Sequence, residues 1–188
     1  MMKFIEKYDH PKNIRFDLFK ESLKIANKRG LKTFVETGTA RGKIKFFFIK
    51  KINWKDGMST LMFAEFAKFT NGELHTCDIS SNNIKNAKFF TKKLNKYISF
   101  YTEDSVSFLK KFPKKIDFLY LDSFDGHNVE LASKHQLKEA KMAINKLTSN
   151  SLVVLDDKGS KTIYSLPFFI DNGFKIILET QQQVILSK

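Results

Sequence analysis

Seven carboxylates stand at the ends of five short apolar runs in this 188-residue chain: Glu36, Asp78, Glu103 with Asp104, Asp122, and Asp156 with Asp157. Carboxylates accept hydrogen bonds from diols, amines and ammonium groups, and acids gathered at one place can take up a proton or hold a cation. The competing reading is that each Asp caps the helix that follows it. His127, in Asp122-Ser123-Phe124-Asp125-Gly126-His127, is a candidate general base, since a histidine near an acceptor hydroxyl can take its proton. The other reading of His127 is a loop histidine that caps or packs. His10, His75 and His135 have no such constellation around them and read as structural or surface residues.

The five runs, at 31–36, 73–79, 98–102, 116–121 and 152–155, are short and β-prone. Between them the apolar residues recur at helical 3–4 spacing, over 58–69, 82–94, 105–111, 129–147 and a Pro167-containing 160–172. A helix over 13–30 comes first, with Phe16, Phe19, Leu23 and Ala26 on one face and Gly30 where a C-cap belongs. Two β runs, 174–179 and 183–186, end the sequence. Their link is too short for a crossover helix, which predicts an antiparallel hairpin.

Strand and helix in alternation predict an α/β fold: a doubly wound, mostly parallel, seven-stranded sheet with a C-terminal antiparallel hairpin. In such a sheet the strand ends line one edge, and ligands bind there. Seven of the 20 acidic residues would thus crowd one rim of a chain whose formal net charge is +13. No repeat or linker divides the sequence, which reads as a single domain over 1–188 with an N-terminal helical segment at 1–30.

The positive charge invites an anionic partner. Only Arg15, Arg29 and Arg41 among the 33 cations are arginine, however. Direct base readout leans on the planar arginine fork, so no specific nucleic-acid binding is expected. The longest apolar run is five residues, too short for a transmembrane helix. Lys3, Glu6, Lys7 and Asp9 do not make a secretory signal, and the lone Cys77 cannot close an internal disulfide. These features predict a cytoplasmic protein.

A dinucleotide cofactor would want G-x-G-x-x-G after the first strand. Glu36-Thr37-Gly38-Thr39-Ala40-Arg41-Gly42 lacks it. A ligand with a sulfonium, an ammonium and a ribose diol, but no phosphate, suits a looser loop and more carboxylates. Glu36-Thr37-Gly38-Thr39, Gly57-Met58-Ser59-Thr60, Cys77-Asp78, Glu103-Asp104-Ser105 and Ile116 to Asp122 resemble class I S-adenosylmethionine-dependent methyltransferases, and the terminal hairpin is similar to that family's last strands. The likeness covers residues 31–188.

The resemblance implies a Rossmann-like fold and the following roles. Glu36 would lie near the methionine ammonium, and Gly38 and Thr39 would let the backbone approach the cofactor. Asp78 would accept both ribose hydroxyls. Asp104 would face the adenine amino group, with Ser105 beside it. Residues 40–56 read as an insertion in the glycine loop. Trp54 and the Phe-rich run 46–48 would make it a mobile lid, and its lysines also permit contact with an anionic surface. Gly57, rather than Gly42, is expected at the ligand, with Ser59 starting the next helix.

Asp122, Asp156 and Asp157 resemble the acids that hold a divalent ion in small-molecule O-methyltransferases. Neighbouring strand ends would bring the three together, and their repulsion must be relieved by a shared proton, by Lys158, or by a hard cation such as Mg²⁺. The expected activity is methyl transfer from S-adenosylmethionine to a hydroxyl of a small polyhydroxylated acceptor, plausibly a sugar. A metal or His127 would remove the proton, and Asp122 is the other candidate catalytic residue. The rivals are a nucleic-acid methyltransferase and a non-catalytic nucleotide-binding module.

Overall fold

The computed structural model describes residues 2–46 and 49–188; positions 47 and 48 of the Phe-rich run lie outside them. α1 (Phe16–Arg29) leads into β1 (Thr33–Thr37), and Gly30 caps the helix. The segment expected as an insertion is a hairpin, β2 (Lys43–Phe46) with β3 (Ile49–Ile52), which forms a two-stranded sheet of its own. Its neck is closed by two hydrogen bonds: Gly42 N donates to Asp56 Oδ2 (2.7 Å) and Asn53 N donates to the Gly42 carbonyl (3.1 Å). Then follow α2 (Ser59–Thr70), β4 (Glu73–Asp78), α3 (Ser81–Phe90), β5 (Ile98–Thr102), α4 (Ser105–Lys111), β6 (Ile116–Leu121), α5 (Val129–Ala143), β7 (Leu147–Leu155), α6 (Thr162–Asp171), β8 (Lys175–Glu179) and β9 (Val184–Ser187).

The main sheet has the strand order β5-β4-β1-β6-β7-β9-β8. Every pairing is parallel except the two made by β9. The expected doubly wound sheet and terminal hairpin are both present. The chain leaves β1 toward β4 and β5, then returns to β6 on its other side. The β1/β6 junction is therefore the switch point, where the strand ends part and a crevice opens.

Alternation along the strands supplies the two cores. Phe34, Phe118, Tyr120, Leu152 and Val154 face α1 and α2, where they meet Phe19, Phe63 and Phe66. Val35, Leu119, Leu121, Val153 and Leu155 face the other side, with Phe108, Ala140 and Phe169. Glu36 shares the face of Phe34, and Thr37 that of Val35, which sets where each can reach. Three boundaries stand out against the sequence reading. The periodicity of 82–94 and of 129–147 continues past the α-helices into 3-10 turns at Lys92–Tyr97 and Ile144–Lys146. β7 starts five residues early, because Ser151 turns its hydroxyl onto the Ile116 carbonyl (2.6 Å) and ties the polar start of the strand to β6. Among the described residues no helix is long and apolar enough to cross a membrane.

Candidate active site

Two joined cavities open at the C-terminal ends of the strands. The larger, about 370 Å³, lies over β1, β6 and β7 and is lined mainly by charged and polar groups, among them Arg15, Ser59, Asp122, Asp157 and Lys161. The smaller, about 240 Å³, lies over β4 and β5 between Ile79, Asp104, Ser105, Phe124 and His135. Gly38, Asp78, Ile79 and Ser123 border both.

Gly38 brings the floor of the site together. It has φ +82°, and a Cβ there would stand 2.2 Å from the Asp122 carbonyl oxygen. Asp122 N in turn donates to the Thr37 carbonyl (2.9 Å), so the ends of β1 and β6 touch directly. Asp78, one residue past the pairing of Thr37 with Cys77, is already held: it accepts from Ser80 N (2.7 Å), Asn83 Nδ2 (3.0 Å) and Thr39 N (3.3 Å). Those bonds fix a carboxylate at the boundary of the two cavities. Asp104 both lines the smaller cavity and caps α4, accepting from Ser107 N (2.9 Å).

Glu36 does not line either cavity. It is fully buried and accepts from Ser59 Oγ (2.5 Å), Thr60 Oγ1 (2.7 Å) and Thr76 Oγ1 (2.6 Å). Burial pushes its carboxyl up to about 7, against the pull of those three hydroxyls. Its observable work is to hold Ser59, the first residue of α2, at the wall of the larger cavity. Gly57 is not in the lining either; its open side faces Arg15, Phe19 and Asn13. It ends the 3-10 turn Trp54–Asp56, and the backbone that meets the cavity is Gly38 to Arg41 instead. Trp54 packs away from the site, stacked on His10 (centroids 5.2 Å apart, 14° between planes).

His127 is exposed, in the 122–128 loop, and lines no cavity. The histidine at the site is His135 of α5, whose Nε2 lies 2.9 Å from Ser105 Oγ; Ser105 Oγ also donates to Ser123 Oγ (3.2 Å). Behind these hydroxyls the buried Glu139 stands 3.8 Å from His135 Nε2. Burial raises the Glu139 carboxyl, while His135 and the hydroxyls of Ser105, Ser123 and Thr37 pull it back down. His135 reads as an ordinary helix residue in the sequence; only its spacing of four from Glu139 marks it.

Asp122, Asp156 and Asp157 do converge, with one oxygen of each lying within 4.8 Å of the others. Their charge is met by two cations of this chain. Arg15 Nε donates to Asp156 Oδ1 (2.8 Å) and Oδ2 (3.0 Å), and its Nη2 lies 2.8 Å from Asp156 Oδ2 and 2.9 Å from Asp157 Oδ1. Lys161 Nζ reaches Asp122 Oδ1 (2.6 Å) and Asp157 Oδ2 (3.0 Å). Tyr120 OH donates to the last oxygen, Asp122 Oδ2 (3.2 Å). Lys158, the neighbour in sequence, pairs with Glu179 instead (3.0 Å).

All six carboxylate oxygens therefore lie against a protein donor or cation. A hard cation would have to displace these groups and would sit beside two positive charges. The residues do not fit a resident divalent ion, and the expectation of Mg²⁺ gives way to Arg15 and Lys161. Turnover is accordingly expected to be unchanged in excess EDTA and not raised by Mg²⁺ or Mn²⁺. Loss of activity with chelator and its return with one metal would reverse this reading.

Burial favours the neutral form of Asp156, and with Asp122 nearby it pushes the carboxyl up to about 7 despite the Arg15 bonds. Burial works against the Lys161 ammonium, but Asp122 and Asp157 outweigh it and raise its pKa. Asp157 also has φ +50°, a left-handed backbone that aspartate and asparagine adopt more readily than other non-glycine residues, at the point where it bridges both cations.

A glycine-loop crevice at the switch point of a sheet ordered β5-β4-β1-β6-β7-β9-β8, bordered by the acid that ends β4, defines the class I S-adenosylmethionine-dependent methyltransferase fold. Residues 54–158 match the methyltransferase domain family, and the chain belongs to it. Among solved structures it is similar to SAH-bound PaMTH1 of Podospora anserina (TM-score 0.64, 13% identity, 99% of this chain and 85% of that one). It is also similar to the N-methyltransferase NodS of Bradyrhizobium japonicum (TM-score 0.62, 13%, 95% and 96%). A third similar structure is SMU.1697c of Streptococcus mutans in complex with SAH (TM-score 0.61, 12%, 89% and 96%). No curated protein matches the sequence.

Proposed function

We propose that this protein transfers a methyl group from S-adenosylmethionine to a hydroxyl oxygen of a small polyhydroxylated acceptor, plausibly a sugar. The observation that carries the reading is Asp78, a preorganised carboxylate at the boundary of two joined cavities of unlike chemistry. The adenosine half of the cofactor suits the smaller cavity: Asp78 would accept from the ribose diol, and Asp104 from the adenine amino group, between Ile79 and Phe124. Gly38 and Thr39 would carry the chain past the methionine half, with Glu36 acting through Ser59.

The acceptor would occupy the larger cavity, where Asp122, Asp125 and Asp157, although already bonded within the chain, keep second lone pairs for hydroxyl donors. Asp122 would take the acceptor proton, with Lys161 holding its side chain in position. Most of the rate then comes from alignment of donor and acceptor, which can supply roughly 7–11 kcal/mol in favourable cases. The hairpin neck contributes Arg41, Lys55 and Asp56 to the cavity wall, which supports a cover over the acceptor.

A small molecule is favoured over nucleic acid because all three arginines are engaged within the chain. Arg15 holds Asp156 and Asp157, Arg41 holds Asp56 and Asp125, and Arg29 bonds the Asn150 carbonyl and Ser187 Oγ. A cytoplasmic setting is part of the proposal and agrees with the single buried thiol, Cys77.

Calorimetry with S-adenosylhomocysteine tests the core of the reading. Two charge-assisted hydrogen bonds are worth about 2–3 kcal/mol, so Asp78→Ala should bind roughly 30-fold to 150-fold more weakly. Equal affinity in the two proteins would remove Asp78 from the site, and preference for a nicotinamide cofactor would overturn the assignment.

A further inference from the structure

The two edges of the main sheet are finished differently. At one edge, three of the five β5 residues are half-buried, Phe100 and Tyr101 among them, and Lys88 lies over the Phe100 ring (5.4 Å). At the other edge, all five residues of β8 are exposed, including three consecutive aliphatics: Ile176 at 41%, Ile177 at 43% and Leu178 at 37%. Among the described residues β8 pairs only with β9. A bare apolar edge, with backbone N–H and C=O groups unpaired on one side, is a template for another strand.

We propose that β8 is the seam of a homodimer, in which two copies pair this strand antiparallel about Ile177. The sequence Lys175-Ile176-Ile177-Leu178-Glu179 is self-complementary in that register. Lys175 meets Glu179 of the partner subunit, Ile176 meets Leu178, Ile177 meets its own copy, and the same contacts repeat in reverse. This reciprocity is what a two-fold interface demands. The alternatives are poorer. Parallel in-register pairing sets Lys175 against Lys175 and Glu179 against Glu179, and a one-residue slip sets Lys175 against an aliphatic.

Lys158 takes Glu179 Oε2 (3.0 Å) in a pair that is itself exposed and so competes little with the partner's lysine. The register shift of β8 against β9 between Ile176 and Leu178 marks an irregularity at Ile177, which limits the new ladder to a few residues and makes the dimer reversible. The seam lies two strands beyond β7 and touches neither cavity, so it stands independently of the proposed reaction.

Sedimentation of the full chain over a range of concentrations tests this. The wild type is expected to show a reversible monomer–dimer equilibrium. Lys175→Glu puts like charges opposite each other twice and should weaken the dimer by about 10-fold or more. Lys175→Glu with Glu179→Lys restores opposite charges in swapped order and should recover most of the affinity. Turnover and thermal stability of the monomer should not change in either variant. A wild type that stays monomeric at sub-millimolar concentration overturns the proposal. So does an association that ignores Lys175→Glu, or a double variant no tighter than the single one.

Discussion

Arg15→Met should lose stability progressively at alkaline pH, by up to about 1.4 kcal/mol for each unit above about pH 7, the cost of leaving a buried carboxylate without its partner. Asp156 is fully buried, and among the described residues Arg15 is its only cationic bond. Asp157 keeps Lys161 when Arg15 is gone, so the damage centres on Asp156. The loss should depend on pH with a definite sign. The Asp156 carboxyl is held at about 7 in the folded protein, above its unfolded value of about 4. The folded state thus keeps a proton that the unfolded state has released, and stability falls as pH rises between those values. Without Arg15 the folded value climbs further. The variant must then go on losing stability above about pH 7, where the wild type has levelled off. Urea unfolding at about pH 5 and about pH 9 reads this directly: a small gap between the proteins at the acid end and one of roughly 2–3 kcal/mol at the alkaline end. A second substitution, Asp156→Asn, removes the charge and should close most of the alkaline gap. Equal midpoints at both pH values would show that Arg15 does not hold Asp156.

The positions of the acids were legible before the fold because strand–helix alternation sends every parallel strand end to one edge, whatever the packing. Asp78, Asp104, Asp122 and Asp157 accordingly line the cavities. What the pattern could not give was direction. Glu36 ends its strand like the others, but shares the face of Phe34 and turns under α2, where three hydroxyls take it. Direction also separates the two histidines. His127 sits beside the acids in sequence, on a loop that turns it outward, while His135 is brought in by the face of α5 that packs on the sheet. The partners of the acid trio lay furthest from view. Arg15 is 141 positions from Asp156, and Lys161 is reached through one helical turn rather than through its neighbour Lys158. Repulsion among three acids said that something positive must be present; only the packing of α1 against β7 decided that it was an arginine. That arginine is one of just three in the chain, and its rarity was the one available signal.

Gly38→Ala should be the substitution that most damages fold and site together. The new Cβ would lie 2.2 Å from the Asp122 carbonyl oxygen, 2.7 Å from its carbon and 2.9 Å from Ser123 Cα. These are backbone atoms and cannot swing aside as a side-chain tip would. A φ of +82° adds strain for any L side chain, of order 1–2 kcal/mol, and overpacking typically adds about 1–3 kcal/mol. The total is roughly 3 kcal/mol or more. Relief requires the end of β6 to move away from β1, which breaks the Asp122 N to Thr37 carbonyl bond and draws Asp122 off Lys161. Gly30→Ala separates strain from clash. Gly30 has φ +67° but nothing within 4 Å of its would-be Cβ, so it should cost only the conformational part, about 1 kcal/mol. Because Gly38 borders both cavities, its variant should lose S-adenosylhomocysteine affinity and turnover in parallel, while Gly30→Ala keeps both. Urea midpoints and calorimetry on the two variants make the comparison. If they are equally stable, or if Gly38→Ala still binds at full strength, the close approach of β1 and β6 is not what shapes the site.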